Sequence, residues 1–347
     1  MIKYLGSKRV LLPTIVALIE QVPGVRRVQD LFSGTSRVGH ALKAAGFQVS
    51  ANDHNAYAET LARCYVEADA EEWTAPATEL LAQLSAVPAR AGWFTQTYCE
   101  DSRFFQPHNG ARVDAIRDAI AAMDLPPLLE SIALVSLMEA ADRVDSTTGV
   151  QMAYLKQWAA RSHKDLELRL PRLLPRAAAG PGEVTRLDAK DAARACSADL
   201  VYLDPPYNQH KYVGNYHIWE SLVRWDQPEV YGKARKRIDC KRRRSPFNSR
   251  PGIHAALEAT LDAIDAPNLL VSFSNEGFLS PEALVTLLEP RGHVRVVSRA
   301  YRRYVGAQIG VYSPKGVRVG EVSHLQNTEL LFLVTPEPLD LDATTLP

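Results

Sequence analysis

The chain has 347 residues, of which 46% are hydrophobic and 23% are charged, and its formal net charge is zero. These values are typical of a folded protein with a substantial core, and they exclude a short peptide module and a histone-like polycation. The four cysteines include no Cys-x-x-Cys pair and the nine histidines are dispersed, so we expect neither a metal site nor a disulfide framework.

The sequence carries no signal for a membrane or for export. No apolar run approaches the roughly 18 residues needed to cross a bilayer. The opening MIKYLGSKRVLLPTI lacks the apolar core and the cleavage site of a signal peptide. We therefore expect a cytoplasmic protein with no membrane partner.

Two stretches concentrate the positive charge. Residues 233–250 hold nine Lys or Arg against one Asp, and residues 291–318 hold seven and no acid. A solvated basic loop is one explanation, but Tyr231, Phe247, Tyr301 and Tyr304 interleave with the cations and could stack on bases, which favours a nucleic acid partner. We expect two basic loops, at 231–252 and 299–318, to face it. The cations singled out are Lys241, Arg242, Arg243, Arg244, Arg302 and Arg303.

The organised part of the chain begins with a β-α-β unit. VRRVQDLFSG predicts a short strand and a glycine turn, TSRVGHALKAAG predicts an amphipathic helix, and FQVSANDHN predicts a second strand. A helical, acid-rich region follows from Asn55 to about Leu84. This pattern predicts an α/β fold with a Rossmann-like, doubly wound and mostly parallel sheet.

The sheet is interrupted before it is complete. Helical periodicity in ARVDAIRDAIAAM and LLESIALVSLMEAADRV predicts a mainly helical insertion at residues 89–182, between a first part at 1–88 and a second part at 183–340. Strands are predicted again at EVTRLD, DLVYLD, NLLVSFS and HVRVVSR, and ELLFLVTP is expected to be an edge strand. In SPEALVTLL, Ser280 is the expected N-cap and Pro281 the first residue of a helix.

The turn in DLFSGTSRVG follows the first strand, where ligands bind in open α/β sheets. Gly34 allows a ligand to approach the backbone closely, and the helix that follows can receive an anionic group such as a carboxylate. A phosphate loop would require Lys and Ser or Thr after Gly39, but His40 and Ala41 stand there. A dinucleotide fingerprint would require a third glycine, although Asp53 lies about twenty residues on, where a ribose-binding acid is expected. An adenosyl ligand without a pyrophosphate suits the turn better, and a purely structural turn is the alternative.

A stiff polar corner ends a later apolar strand. In ADLVYLDPPYNQ the strand runs into Asp204, Pro205, Pro206 and Tyr207. Asp and Pro are common turn residues, so this corner alone does not demonstrate catalysis.

The motifs together carry a family resemblance. With KYLGSK near the start, then DLFSGTSRVG, Asp53 and DPPY in that order, the chain resembles the Dam-like family of adenine-specific DNA methyltransferases. The resemblance covers roughly residues 1–85 and 183–335. It implies a class I methyltransferase fold, S-adenosylmethionine as the cofactor and double-stranded DNA as the partner. It also implies that the insertion recognises the target.

The resemblance also implies roles for individual residues. Tyr4 and Lys8 would line the methionine end of the cofactor or the adjoining wall of the active site. Asp53 would accept the ribose hydroxyls, and Asp188 would lie beside the adenine ring of the cofactor. Two groups complete the set: the cofactor turn of Phe32, Ser33 and Gly34, and the catalytic motif of Asp204, Pro205, Pro206 and Tyr207.

Two departures from the family pattern limit the resemblance. Ser36 stands where the family usually has a second glycine, which loosens the predicted geometry of the turn. The Arg-Tyr-Asn and Phe-Asn-x-Pro signature of many members is absent, and the corresponding region of this sequence reads DSTTGVQMAYLKQW. The insertion is matched by position only, so the resemblance does not indicate which bases this chain recognises.

The corner suits methyl transfer to an exocyclic amine. The nitrogen lone pair is delocalised into the ring, so the Asp204 carboxylate and a main-chain carbonyl of the proline pair would each accept an N–H bond and aim the lone pair at the methyl donor. Proline locks φ near −65° and keeps the corner stiff. Tyr207 would stack on a base that has left the duplex.

The resulting hypothesis is a site-specific DNA methyltransferase that acts on the N6 amine of adenine. A restriction endonuclease is a candidate partner. The alternatives are a cytosine-N4 DNA methyltransferase, an RNA methyltransferase, and a catalytically silent DNA-binding protein on the same scaffold.

Overall fold

The structure is a computed structural model that describes residues 1–302, 311–312, 318–320, 326–342 and 346. Its strands in those ranges are β1 Arg27–Asp30, β2 Gln48–Asn52, β3 Glu183–Thr185, β4 Leu200–Leu203, β5 Val230–Tyr231, β6 Lys236–Arg237, β7 Asn268–Ser274, β8 His293–Arg302, β9 Val311–Tyr312, β10 Arg318–Gly320 and β11 Gln326–Thr335.

The α-helices of the described residues lie mostly between these strands. They are α1 Leu12–Glu20, α2 Arg37–Ala44, α3 Ala56–Ala62, α4 Ala70–Ala86, α5 Trp93–Thr95, α6 Pro107–Ala122, α7 Pro127–Arg143, α8 Ala189–Ala195, α9 Tyr212–Asn215, α10 His217–Arg224, α11 Ile253–Leu261 and α12 Pro281–Leu288. Arg63–Glu67 and Gln96–Glu100 are π-helical, and the 3-10 segments are Lys8–Val10, Ala160–His163, Ile238–Lys241, Pro246–Asn248 and Glu289–Arg291.

One large sheet organises the described residues. Its seven strands follow the order β3-β2-β1-β4-β7-β11-β8. The pairs among β3, β2, β1, β4 and β7 are parallel, and β11 runs antiparallel to both β7 and β8. The predicted doubly wound, mostly parallel α/β fold is therefore confirmed.

Alternate residues of the central strands build cores on the two faces of the sheet. In β4, Leu200 and Tyr202 point into a core shared with α1 and α2. Val201 and Leu203 point into a core shared with α8, α11 and α12. This alternation explains why these strands are continuous apolar runs, since both of their faces are buried.

The position predicted for ELLFLVTP is wrong. β11 lies between β7 and β8, whereas β3 and β8 are the edge strands of this sheet. Leu331, Phe332, Leu333 and Val334 are fully buried. A run of consecutive apolar residues is typical of a strand covered on both faces, and an edge strand more often carries charges.

The insertion is helical in its first half. Helices α6 and α7 share a buried cluster with α3 and α10, in which Tyr57, Phe94, Leu137 and Trp219 are almost completely buried. Residues 144–182 are irregular apart from Ala160–His163. The domain boundaries and the recognition role of the insertion stay predictions.

Two local predictions about helices are met. The side chain of Ser280 accepts a hydrogen bond from the Ala283 amide at 3.2 Å, and Pro281 is the first residue of α12.

Within the described ranges, no helix combines the length and the apolar character needed to cross a membrane.

Candidate active site

A cleft opens where β1, β2, β3 and β4 end, because parallel strands present their carboxyl ends at one edge of the sheet. It has an empty volume of about 1260 Å³, including space open to solvent. Most of the residues predicted from sequence line it together: Tyr4, Lys8, Phe32, Ser33, Gly34, Asp53, Asp188, Asp204 and Pro206. Gly34 and Asp204, which are far apart in sequence, thus share one cleft.

The turn after β1 brings backbone close to the cleft. Gly34 has φ +54°, and a Cβ added there would lie 3.5 Å from the ring of Tyr4. Ser36, which replaces the family's second glycine, has φ +58° and so adopts the left-handed conformation that glycine favours. The Ser33 hydroxyl donates to the Ser36 hydroxyl at 3.1 Å. The substitution therefore preserves the left-handed turn.

Asp53 holds the neighbouring turn in place. Its Oδ2 accepts a hydrogen bond from the Gly34 amide at 3.0 Å. Its Oδ1 accepts from the amide and the side chain of Asn55 at 2.9 and 3.0 Å. Burial raises the pKa of Asp53, and these hydrogen bonds oppose that rise. The carboxylate is thus held at the cleft by two separate turns.

Asp188 lies at the cleft as the N-cap of α8. Its carboxylate accepts a hydrogen bond from the Lys190 amide at 3.1 Å. This bond fixes the first turn of the helix, as an N-cap residue does in general.

Asp204 belongs to a buried charge cluster. Lys8 Nζ lies 3.0 Å from Oδ1 of Asp204 and 2.7 Å from Oε1 of Glu329, and the Ser272 hydroxyl donates to the same Glu329 oxygen at 2.6 Å. Lys8 and Glu329 have side-chain exposures of 6% and 1%. The cluster therefore places one cation between two carboxylates.

Burial and these neighbours set the protonation of the cluster. Burial raises the pKa of Asp204 to about 6, with Lys8 opposing the shift and Glu329 adding to it. Burial alone would lower the pKa of Lys8, but Asp204 and Glu329 outweigh it and raise that pKa well above its usual range. At neutral pH Lys8 is thus charged and most Asp204 is ionised.

The remaining corner residues support the motif from behind. Pro205 is buried, and the ring of Tyr207 packs against Phe273 with their centroids 5.4 Å apart. Neither residue belongs to the lining of the cleft. The Tyr207 carbonyl accepts a hydrogen bond from the Phe278 amide at 2.9 Å, which ties the corner to the end of β7.

Stacked tyrosines form a second wall. The ring of Tyr4 stacks on Tyr216 at 4.4 Å and on Tyr212 at 5.3 Å, with interplanar angles of 17° and 11°. The hydroxyl of Tyr4 lies 3.1 Å from that of Tyr57. Tyr212 also lines the cleft. The amino-terminal segment is thus fixed against the chain that follows DPPY.

Sequence reasoning missed several polar residues at or beneath the cleft. Asp30 and Arg37 line it, and Asp30 Oδ1 and Arg37 Nε are buried without a hydrogen-bond partner among the described residues. Burial raises the pKa of Asp30 to about 7. Glu329 supports Lys8 from β11. A lone acid at the start of the apolar run ELLFLV was the available signal for Glu329, and Asp30 was already part of the quoted turn.

The basic residues singled out from sequence divide into groups. Lys241, Arg242 and Arg244 are exposed, whereas Arg243 is directed inward and pairs with Glu220 at 2.9 Å. Arg302 ends β8, and Arg303 lies outside the described residues together with much of the predicted 299–318 loop.

The suggestion that Phe247 stacks on bases is not supported by its position. Its side chain is 7% exposed and packs edge-on against Phe32, with the ring centroids 5.3 Å apart. It is part of the wall of the cleft.

No group of three or more His, Cys, Asp or Glu within the described ranges is arranged to hold a metal ion.

Comparison with known proteins identifies a family and several relatives for this chain. The family model for D12 class N6 adenine-specific DNA methyltransferases matches residues 4–287. The chain is 31% identical over 313 residues to the type II methyltransferase M.NlaIII of Neisseria lactamica, an alignment that covers 87% of this chain and 92% of that protein.

Two longer relatives align with part of their length. The modification methylase StsI of Streptococcus sanguinis is 27% identical, with 99% of this chain and 53% of the relative covered. The type II methyltransferase M.FokI of Planomicrobium okeanokoites is 28% identical, with 87% and 49% covered. The chain thus spans about half of these two proteins. On the family match and the fold, this chain belongs to the D12 class of N6 adenine-specific DNA methyltransferases.

Proposed function

We propose that the protein transfers a methyl group from S-adenosylmethionine to the N6 amine of an adenine that has been rotated out of duplex DNA. One observation carries the proposal: Asp204, at the end of β4, shares a cleft with Gly34 and Asp53. A catalytic acceptor and a candidate cofactor turn therefore face a common space. The family membership supplies the reaction class.

The chemistry of the cleft fits an adenosyl amino acid. Asp53 offers a carboxylate for the ribose hydroxyls, and the unpartnered Oδ1 of Asp30 offers an acceptor for the methionine ammonium. The unpartnered Nε of Arg37, at the first residue of α2, and the amino terminus of that helix suit the methionine carboxylate. Gly34 leaves room for close contact. When bound, S-adenosylmethionine supplies an electrophilic methyl group on a sulfonium.

The corner would activate the amine. The Asp204 carboxylate accepts one N–H of the adenine amine, and a main-chain carbonyl of Pro205 or Pro206 accepts the other, so the nitrogen becomes tetrahedral and its lone pair points away from the ring. Lys8 holds the carboxylate in place at 3.0 Å. Because burial raises the pKa of Asp204 to about 6, the ionised form predominates at neutral pH, and the same carboxylate would take up the proton that the amine releases.

The DNA would lie across the mouth of the cleft. Lys241, Arg242 and Arg244 are exposed in a segment whose residues 243–248 line the cleft, and they can neutralise phosphates there. Arg302 and Arg303 are proposed to do the same from the other basic stretch. The target adenine would be rotated out of the duplex, because a base inside the stack cannot reach Asp204. Tyr207 packs against Phe273 outside the lining of the cleft, so the stacking role expected for it from sequence is not part of this proposal.

The names of the relatives suggest the biological setting. M.NlaIII and M.FokI are type II methyltransferases, and StsI is a modification methylase. We therefore propose that this enzyme protects specific sites from a cognate restriction endonuclease, and that it acts in the cytoplasm. The insertion at 89–182 is proposed to recognise the target.

Transfer of a radiolabelled methyl group to DNA tests the proposal. We expect label in N6-methyladenine after digestion to nucleosides, and none when Asp204 is replaced by Ala, although that variant should still bind S-adenosylhomocysteine. Label in N4-methylcytosine, preferential labelling of RNA, or DNA binding without label would each replace the proposal with the corresponding alternative. Single-molecule sequencing of DNA from cells that express the chain would report the modified base and its context together.

A further inference from the structure

The basic segment, residues 241–248, is part of the cleft and not only a surface loop. Its last six residues, Arg243 to Asn248, all line the cleft together with the turns that carry Gly34 and Asp53. Lys241 and Arg242 at its start are exposed. One short stretch of chain therefore has a side facing solvent and a side facing the proposed cofactor site.

Arg243 connects this segment to the turn that holds Asp53. Its Nη2 donates to Oδ1 of Asn55 at 3.0 Å and to the carbonyl of His54 at 3.3 Å. Asn55 in turn donates two hydrogen bonds to Oδ1 of Asp53. Arg243 is thus separated by a single side chain from the carboxylate proposed to hold the ribose.

A buried acid fixes the other edge of the guanidinium. Arg243 Nη1 donates to Oε1 of Glu220 at 2.9 Å, and Glu220 has a side-chain exposure of only 2%. Oε2 of Glu220 accepts from the Tyr57 amide at 3.3 Å. The planar guanidinium bridges the two partners in one geometry, which a lysine ammonium could not reproduce.

The far end of the basic segment reaches the catalytic corner. The side chain of Asn248 donates to the carbonyls of Asn208 and His210 at 2.8 and 3.0 Å. Asn208 follows Tyr207 directly. Phe247 packs on Phe32 of the cofactor turn. The segment therefore contacts the Asp53 turn, the Gly34 turn and the chain that leaves DPPY.

We propose that Arg243 is a positioning residue that couples DNA binding to cofactor binding, by holding the His54–Asn55 turn to a segment whose neighbouring cations engage DNA. The four consecutive cations at 241–244 thus have two different tasks. The inference rests on the proposed function and extends it: ordering of the segment by DNA strengthens cofactor binding, and by linkage the cofactor strengthens DNA binding to the same degree.

Calorimetric titration with S-adenosylhomocysteine, with and without sheared duplex DNA of mixed sequence, tests the coupling. For the unmodified protein we expect DNA to tighten the binding by about fivefold or more. For Arg243→Gln we expect binding about tenfold weaker without DNA, because charge-assisted hydrogen bonds to the turn are lost, and no tightening when DNA is added. Arg242→Gln is the matched control and should weaken DNA binding while leaving the affinity for S-adenosylhomocysteine unchanged.

Loss of Arg243 also leaves Glu220 buried without its cation, which could destabilise the fold. The double variant Glu220→Gln, Arg243→Gln removes both charges and should recover the thermal stability of the unmodified protein. Cofactor affinity and coupling should stay reduced, because the contacts to His54 and Asn55 are still missing. Arg243→Lys should restore charge but not coupling.

The possible results separate the inference from the proposed function. If Arg243→Gln binds S-adenosylhomocysteine normally and lowers DNA affinity as Arg242→Gln does, Arg243 is a phosphate contact and the inference is wrong. Recovery of both stability and cofactor affinity in the double variant would also overturn it. If the unmodified protein does not bind S-adenosylhomocysteine, the proposed function fails and the inference with it.

Discussion

The ammonium nitrogen of Lys8 lies 3.0 Å from Oδ1 of Asp204. In the sequence, Lys8 precedes the predicted insertion at 89–182 and Asp204 follows it. The contact favours the charged form of a carboxylate whose side chain is 21% exposed, where burial alone would favour the neutral acid. It also leaves the protonation of Asp204 sensitive to any change in the surrounding charges.

The rate of methyl transfer should depend on the ionisation of Asp204. Its pKa is raised to about 6, and the ionised carboxylate is both a stronger hydrogen-bond acceptor for the amine than the neutral acid and the form that can take up the released proton. The rate should therefore fall as the pH decreases through about 6, approaching a tenfold loss per pH unit. Single-turnover rates on DNA at a series of pH values measure this limb.

The folding contribution of Asp204 has the opposite sign. A raised pKa in the folded state means that ionisation destabilises the fold, so this contribution to stability grows as the pH falls from about 6. Circular dichroism at each pH would separate the two effects. A transfer rate that stays constant through pH 6 in folded protein would exclude Asp204 as an ionised acceptor.

Replacement of Glu329 by Gln should shift this acidic limb to lower pH. Glu329 shares the Lys8 cation with Asp204 and raises the pKa of Asp204. Removal of its charge makes ionisation of Asp204 easier, while the amide keeps nearly the same shape. The midpoint of the rate profile measures the shift. Glu282→Gln on the exposed side of α12 is the control and should leave the midpoint in place, and an upward shift in Glu329→Gln would contradict the proposed cluster.

An alanine at Gly34 should weaken cofactor binding beyond any general loss of stability. Gly34 has φ +54°, and the added methyl would lie 3.5 Å from Tyr4 in the cleft. Gly24 has φ +79° with no atom near its added methyl, so Gly24→Ala carries a similar backbone strain of about 1 kcal/mol away from the cleft. Both variants should melt at lower temperature, and only Gly34→Ala should lose affinity for S-adenosylhomocysteine. Equal affinities would place the cofactor elsewhere.

The exposed cations of the basic segment should set the salt dependence of DNA binding. Lys241 lies with its ammonium 4.2 Å from the centroid of the Tyr231 ring, at the start of the segment. Lys241→Gln should lower the slope of log affinity against log salt by about 0.9, the value for one phosphate contact. Fluorescence anisotropy over a range of salt concentrations measures the slope. Arg26 precedes β1, at the end of the strands opposite the cleft, so Arg26→Gln should leave the slope unchanged. Equal slopes for the unmodified protein, Lys241→Gln and Arg26→Gln would remove Lys241 from the interface.

Local patterns predicted the turn after β1, the N-cap Ser280 and the polar corner after β4, because each depends on a few neighbouring residues. Glu329 was missed because its partner Lys8 lies 321 residues away, and no local pattern records such a pairing. The inward direction of Arg243 was missed for another reason. Four adjacent cations look alike in sequence, and only the folded positions of Glu220 and Asn55 select one of them.

The placement of β11 has a consequence for synthesis on the ribosome. This strand is made after both of its partners, β7 and β8, and it inserts between them. Until Glu329 has emerged and entered the sheet, Lys8 lacks one of its two carboxylates. A nascent chain that has not yet reached β11 therefore has the DPPY motif and the cofactor turn but not the complete charge cluster, so the centre is finished only once β11 has been made and has entered the sheet.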